Sequence, residues 1–164
     1  MQTPKIIEIP AKVLVGMSTI HSLVNRRTKE LWSSFMPRRG EIQNRVDENL
    51  YSVQVYAPGF QMQDFRPTTE FRTWAAVELP QNASIPNGMD TILLPGRLYA
   101  VFIHKGAVDS FHETASYIFE TWIPQSGYQV DDRPHFEILG ELYLGPMNPA
   151  SQEEVWVPIK KKSQ

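Results

Sequence analysis

Residues 121–139 read TWIPQSGYQVDDRPHFEIL. Trp122 and Ile123 close a helical pattern before Pro124, which predicts that the helix ends there. Ser126-Gly127 and Asp131 to Pro134 mark a turn-rich loop. A strand then opens at His135, and one acid, Glu137, interrupts its apolar run. Side chains alternate along a strand, so Phe136 and Ile138 take one face while Glu137 and Leu139 take the other. A leucine beside the acid predicts that this face is not open water.

Working outward, the helix before this loop is VDSFHETASYIFETWI. Phe111, Ala115, Phe119 and Trp122 form a stripe at helical spacing with Val108 and Ile118 beside it, and Ser110 with Glu113 fits a capping box. RLYAVFIHKG precedes it as an apolar strand ended by glycine. HFEILGELYLG (His135 to Gly145) and EEVWVPIK (Glu153 to Lys160) follow as strands. The same order, strand, helix, strand, strand, occurs earlier in AKVLVGMSTI, NRRTKELWSSFM, LYSVQVYA and FRTWAAVEL, with Pro37 stopping the helix. Trp32 and Trp122 on the helices, and Trp74 and Trp156 on the last strands, are plausible equivalents in a duplication. PQNASIPNGMDTILLPG joins the halves as a surface connection with a short extended piece, and APGFQMQDFRPTTE is a long hairpin loop. The predicted architecture is α+β: one domain over 1–164, with approximate repeat halves at 11–80 and 97–160.

The 164 residues suit a domain of ordinary size, and 41% hydrophobic with 21% charged residues is a globular composition. A net charge of −2 gives no general attraction to phosphate backbones or anionic lipid, and the basic run Lys160 to Lys162 reads as a solvated terminus. The absence of cysteine excludes disulfides, thiolate nucleophiles and cysteine-ligated metal sites, and fits the cytoplasm. No apolar stretch approaches the ~20 residues of a membrane span. His21, His104, His112 and His135 lack metal-ligand spacing. His104, ending a strand, is expected at the surface, and His112 is expected in solvent. No phosphate loop, nucleophile elbow or zinc-protease motif is present, so no cofactor or metal is expected.

Glu137 is the strongest candidate for chemistry. Two readings compete: an edge-strand acid in solvent or paired with a base, and a carboxylate on the floor of an aromatic pocket. In the second, the acid is poorly satisfied when the pocket is empty and well satisfied by a bound cation, to which each stacked ring adds ~0.5–2 kcal/mol. Candidate walls are Trp32, Tyr51, Trp74, Phe111, Trp122 and Tyr143, with Leu139 beside the acid. Glu153 and Glu154 open a strand after a polar loop and are expected to be exposed. Glu78 faces either side.

Trp122, Pro124, Ser126, Gly127, Tyr128, Pro134, Phe136, Glu137, Pro158, Ile159 and Lys160 together resemble the closing signature of the GyrI-like, AraC-type effector-binding domain, and YAVFIHKG resembles its strand before the second helix. The resemblance is detailed over roughly residues 97–160 and rests on element order before that. It implies tandem βαββ modules about a pseudo-two-fold axis, antiparallel sheets, and two main helices flanking a ligand groove. It also implies binding of lipophilic cationic or aromatic compounds, with an acid at the position of Glu137, as a drug sensor or sequestering protein, and no enzymatic activity is expected. Stand-alone relatives include gyrase-inhibitory proteins, proteins carried on mobile gene cassettes and some hydrolytic enzymes. About ten residues precede the first strand, too few for a helix-turn-helix module, so a stand-alone domain without direct DNA binding is expected. Two alternatives remain. One is an interaction protein that meets a DNA-binding regulator or restrains gyrase. The other is a small hydrolase with Glu137 as general base, which Leu139, standing where many members have tyrosine, disfavours.

Overall fold

The computed structural model describes residues 2–163. In chain order it contains β1 (Lys5–Ile9), β2 (Lys12–His21), α1 (Thr28–Phe35), β3 (Leu50–Val55), β4 (Phe71–Glu78), β5 (Asp90–Leu94), β6 (Arg97–Lys105), α2 (Phe111–Ser116 and its continuation), β7 (Tyr128–Val130), β8 (His135–Leu139) and β9 (Gln152–Lys161). The architecture is α+β, with antiparallel strands in the order β1-β6-β9-β8-β3-β4-β2-β5 and β7 beside the far end of β9.

That order is palindromic. Reading outward from the β3–β8 pair, each side shows the second and then the third strand of a strand-helix-strand-strand unit, then its first strand, then a strand borrowed from the other side. β1 leads into β2 yet pairs with β6, and β5 leads into β6 yet pairs with β2. Only Pro10 and Ala11 separate β1 from β2, a link that spans about 11 Å at most. Strands at opposite ends of the order are therefore neighbours in space, and the sheet must curl strongly. The two short links pass so close that a Cβ on Gly96 would sit 2.6 Å from Ile9 O and Ala11 N, which explains the glycine there. The N-terminal segment is thus a strand that the sequence pattern did not reveal.

The pleat gives the curled sheet two faces with different fillings. The inner face carries Leu14, Tyr51, Val53, Trp74, Leu94, Tyr99, Phe136 and Trp156 in one cluster contributed by strands alone. The outer face carries the helices. Leu31 and Phe35 of α1 pack on Val15, Ala75 and Val77, while Ile118 of the second helix packs on Ala100, Phe102, Val155 and Val157. Phe35 is fully buried, and a side chain of that kind contributes roughly 1.5–3 kcal/mol. Since α1 sits over β2 and β4, and α2 over β6 and β9, the β3–β8 seam lies between them without a helix of its own.

Local details depart from the sequence pattern. After α1 the chain tightens into a 3-10 helix, Met36–Glu41, that accepts Pro37 in its first turn. Ser110 and Glu113 make no capping box: the Ser110 hydroxyl donates to Ala107 O at 2.9 Å instead. From Tyr117 to Trp122 the second helix is wound as a π-helix, and it does not stop before Pro124 but runs through Gln125, with Pro124 in the first turn of the last segment. β8 ends at Leu139 rather than continuing to Gly145, because residues 140–151 turn away as a loop. His104 is buried, not at the surface. Its Nε2 donates to Ala107 O at 3.1 Å and its Nδ1 accepts the Thr114 hydroxyl at 2.6 Å, which ties β6 to α2.

Candidate functional site

The seam takes its floor from alternate residues of two strands. In the β3–β8 register Ser52 faces Glu137, Gln54 faces His135 and Leu50 faces Leu139. All six point to the helix side, because Phe136 and Ile138 belong to the inner cluster. Between the helices, then, lies a strip of floor that is polar in its middle and apolar at the Leu50–Leu139 end.

Glu137 is partly buried there. Gln54 Nε2 donates to its Oε2 at 2.8 Å and also lies 3.2 Å from Ser52 Oγ. Among the described residues no base forms an ion pair with it. Burial raises the carboxyl from the usual 4.5 to about 8, and the charge of Glu153 pushes the same way; the Gln54 and Ser52 hydrogen bonds offset part of this. The acid keeps its proton near neutrality because those hydrogen bonds offset burial only in part and no base among the described residues pairs with it.

Glu153 is the second carboxyl of the groove and was not legible as such. Val155 of β9 faces Glu137, so Glu153, two residues earlier, lies diagonally across the strand pair on the same side. Burial lifts it to about 7. The expectation that Glu153 and Glu154 are exposed fails for both. Glu154 points to the inner face and accepts the Trp156 indole N–H at 2.9 Å. Tyr143, from the loop after β8, is within electrostatic reach of Glu153 and Glu137: burial raises its phenol, and the two acids raise it further.

His135 borders the groove at the other end of the floor. Its ring lies 5.1 Å from Tyr56, just past β3, and 6.0 Å from Phe119 on the second helix. Tyr56 also stacks on Phe60 at 5.7 Å and meets Phe71 at 5.2 Å, so aromatic rings from both halves gather at this end. Burial and, after it, the charge of Glu137 raise the Tyr56 hydroxyl well above its ordinary value. A phenol therefore stands near the acid after all, supplied by the residue after β3 rather than by position 139.

The sequence-derived walls divide. Trp32 is half-buried in the packing under α1, to which Leu50 also belongs. Trp122 is half-buried under the second helix, 5.4 Å from Phe102 and stacked 6.2 Å from Tyr128. Phe111 packs at the helix start, 5.1 Å from His104. Tyr51 and Trp74 must be removed from the groove. Each lies one residue out of phase with the floor, so the pleat turns it to the inner face. Lys12 Nζ donates to the Tyr51 hydroxyl at 3.0 Å and pairs with Glu78 at 3.2 Å, which places Glu78 on the inner side as well. The Trp74 indole N–H is buried without a partner. Phe119, Tyr56, Gln54 and Ser52 were missed. The odd-even phase of β3 relative to Glu137 held the signal for the last two, but only after the register was known.

Comparisons with known proteins agree with this fold. The chain is 30% identical over 155 residues to the transcriptional regulator BrlR of Pseudomonas aeruginosa, an alignment that covers 94% of the chain and 54% of that regulator. The chain thus spans about half the length of this curated relative. Among solved structures, SAV2435 bound to tetraphenylphosphonium has the same fold, with a TM-score of 0.66 at 16% identity over 97% of this chain and 94% of the other. An integron cassette protein from the mobile metagenome of Vibrio cholerae shares it too, with a TM-score of 0.64 at 14% identity over 97% of both chains. Residues 2–160 match the family described as the GyrI-like small molecule binding domain, and the chain belongs to that family.

Proposed function

We propose that this domain takes up lipophilic cations, or aromatic compounds carrying a positive charge, in the groove over β3 and β8, with Glu137 as counter-ion. The carrying observation is the Glu137 carboxyl itself: partly buried, hydrogen-bonded by one amide, and facing no base among the described residues. A cation placed there restores the interaction that burial removes, and surrounding rings add attraction through their faces. The tetraphenylphosphonium complex of the similarly folded SAV2435 supports the same class of guest. A domain of this kind serves as a drug sensor when joined or docked to a DNA-binding partner, and as a sequestering protein when alone. The test is titration calorimetry with tetraphenylphosphonium on the wild type and Glu137→Gln. Micromolar binding that weakens strongly in the variant is expected. Equal affinity in both proteins removes Glu137 from this role.

A further inference from the structure

His135 is the one floor residue that this reading leaves without a task. It is 93% buried, since 7% of its surface is exposed. Strand alternation puts it on the same face as Glu137 two residues on, about 7 Å along β8. Tyr56 and Phe119 hold its ring from opposite halves of the chain. Neither ring nitrogen has a hydrogen-bond partner among the described residues. His21 and His104, the other buried histidines, are both satisfied, His21 by the Arg27 backbone N–H at 3.0 Å and His104 by two partners. Gln54, directly across the strand pair, turns its amide N–H groups to Glu137 and Ser52 instead.

Among the described residues the fully enclosed unpartnered side-chain atoms are the Trp74 indole nitrogen and one Arg133 nitrogen, so the His135 nitrogens reach solvent, where a guest's polar group can replace water. The nitrogens are not sealed in. His135 lines a cleft of about 280 Å3 between the loop after β3 and the loop before β8, with Tyr56, Phe60, Met62 and Pro134 among its walls and Arg133 and Lys160 among its polar groups. Gly59 N donates to Asp132 Oδ2 at 2.9 Å, which braces the two loops across the cleft. The ring is neutral, because burial and then the nearby Arg133 charge lower its value to about 3. A neutral imidazole offers one N–H donor and one nitrogen acceptor.

Building on the cation site at Glu137, we propose that His135 is a specificity-determining residue: it hydrogen-bonds a hydroxyl or carbonyl carried by the cationic guest on an arm that extends from Glu137 toward the cleft. The preferred ligand class is a lipophilic cation whose neutral polar group lies about one strand repeat, ~7 Å, from the charge. Purely hydrocarbon cations bind through Glu137 and leave His135 unpaired.

The experiment uses two benzyldimethylammonium probes of matched size, one with a 4-hydroxybutyl arm and one with a pentyl arm, beside tetraphenylphosphonium. Calorimetry compares wild type, His135→Phe and His135→Gln. His135→Phe keeps a ring between Tyr56 and Phe119 but removes both nitrogens. The alcohol's affinity relative to the pentyl probe should fall about tenfold in His135→Phe and recover in part in His135→Gln. Any change in tetraphenylphosphonium affinity should be smaller than the change in the alcohol-to-pentyl ratio, since that cation carries no polar group for His135 to pair. An alcohol-to-pentyl ratio that is the same in wild type and His135→Phe overturns the role of His135. If tetraphenylphosphonium still binds in a Glu137-dependent way in that case, the cation site stands and only His135 falls. Failure of the wild type to bind any of the three cations overturns both readings.

Discussion

A counter-ion that keeps its proton at neutrality makes binding of a permanent cation depend on pH, and the dependence follows from the geometry of the groove. Glu137 rises from 4.5 to about 8 in the folded protein. Tetraphenylphosphonium has nothing to titrate, so any proton released on binding comes from the protein. At pH 7 only about a tenth of Glu137 is ionised, and removing the proton costs about 1.4 kcal/mol. Affinity should therefore climb about tenfold per pH unit below 8 and flatten above it, roughly a hundredfold in all between pH 6 and pH 9. Glu153, itself lifted to about 7, shares the groove and broadens the transition. Above pH 8 the ion pair acts at full strength. At ~5 Å and an effective dielectric of ~20 it contributes on the order of 3 kcal/mol, about a hundredfold in Kd.

The empty protein should move in the opposite direction. A carboxyl whose folded value lies above its unfolded one destabilises the fold as it is forced toward ionisation. Stability is unaffected below pH 4.5, falls as pH rises toward 8, and is constant beyond, by on the order of 5 kcal/mol in total. Calorimetry at pH 6, 7, 8 and 9, in pairs of buffers with different ionisation enthalpies, reads both affinity and proton release. Wild type should release close to one proton per tetraphenylphosphonium at pH 7, and Glu137→Gln none. The variant should also bind with little pH dependence and unfold later than wild type at pH 9. Equal pH slopes in the two proteins, or equal Kd values at pH 9, refute the counter-ion argument.

Three further outcomes follow from placement. Glu153→Gln removes a negative charge that raises Glu137, so the pH at which tetraphenylphosphonium affinity levels off should move down, as the same calorimetric series reads. Tyr51→Phe deletes a hydroxyl that accepts from Lys12 on the inner face, so chemical denaturation should show a loss of about 1 kcal/mol while ligand affinity is unchanged. Gly96→Ala forces a methyl group against Ile9 O and Ala11 N where the two short links cross, and should cost more than about 2 kcal/mol without touching the groove.

Much of the fold was legible because apolar periodicity is local. β2, β3, β4, β6 and β9 and both helices lie where alternation and helical stripes placed them, although neither helical path stops at its proline. β1 was not, since KIIEI is short and its partner β6 is far along the chain. Glu137 and Leu139 were legible together from alternation on a single strand. Tyr51 and Trp74 were misplaced for a related reason: aromatic identity says that a residue is buried, while the strand phase that decides which face buries it depends on cross-strand register. The residues that complete the site, Gln54, Ser52, Tyr56, Phe119 and Glu153, come from three other elements whose contacts with β8 no local pattern encodes.

The palindromic strand order also explains why the polar floor lies where it does. Each helix is tied to its own half and covers the first and last strands of its strand-helix-strand-strand unit, leaving the middle strand bare on the outer side. The two bare strands, β3 and β8, are the pair that joins the halves. A strip of sheet with no helix of its own is thus a consequence of connecting two such units through their middle strands. Polar side chains at Ser52, Gln54, His135 and Glu137 stand on that strip without a helix above them, whereas under a helix a buried polar group such as His104 takes its partner from the helix itself. On the proposed reading, substitutions at Ser52, Gln54, His135 and Glu137, which stand on the strip that the topology leaves without a helix, should change what is bound more than whether the chain folds.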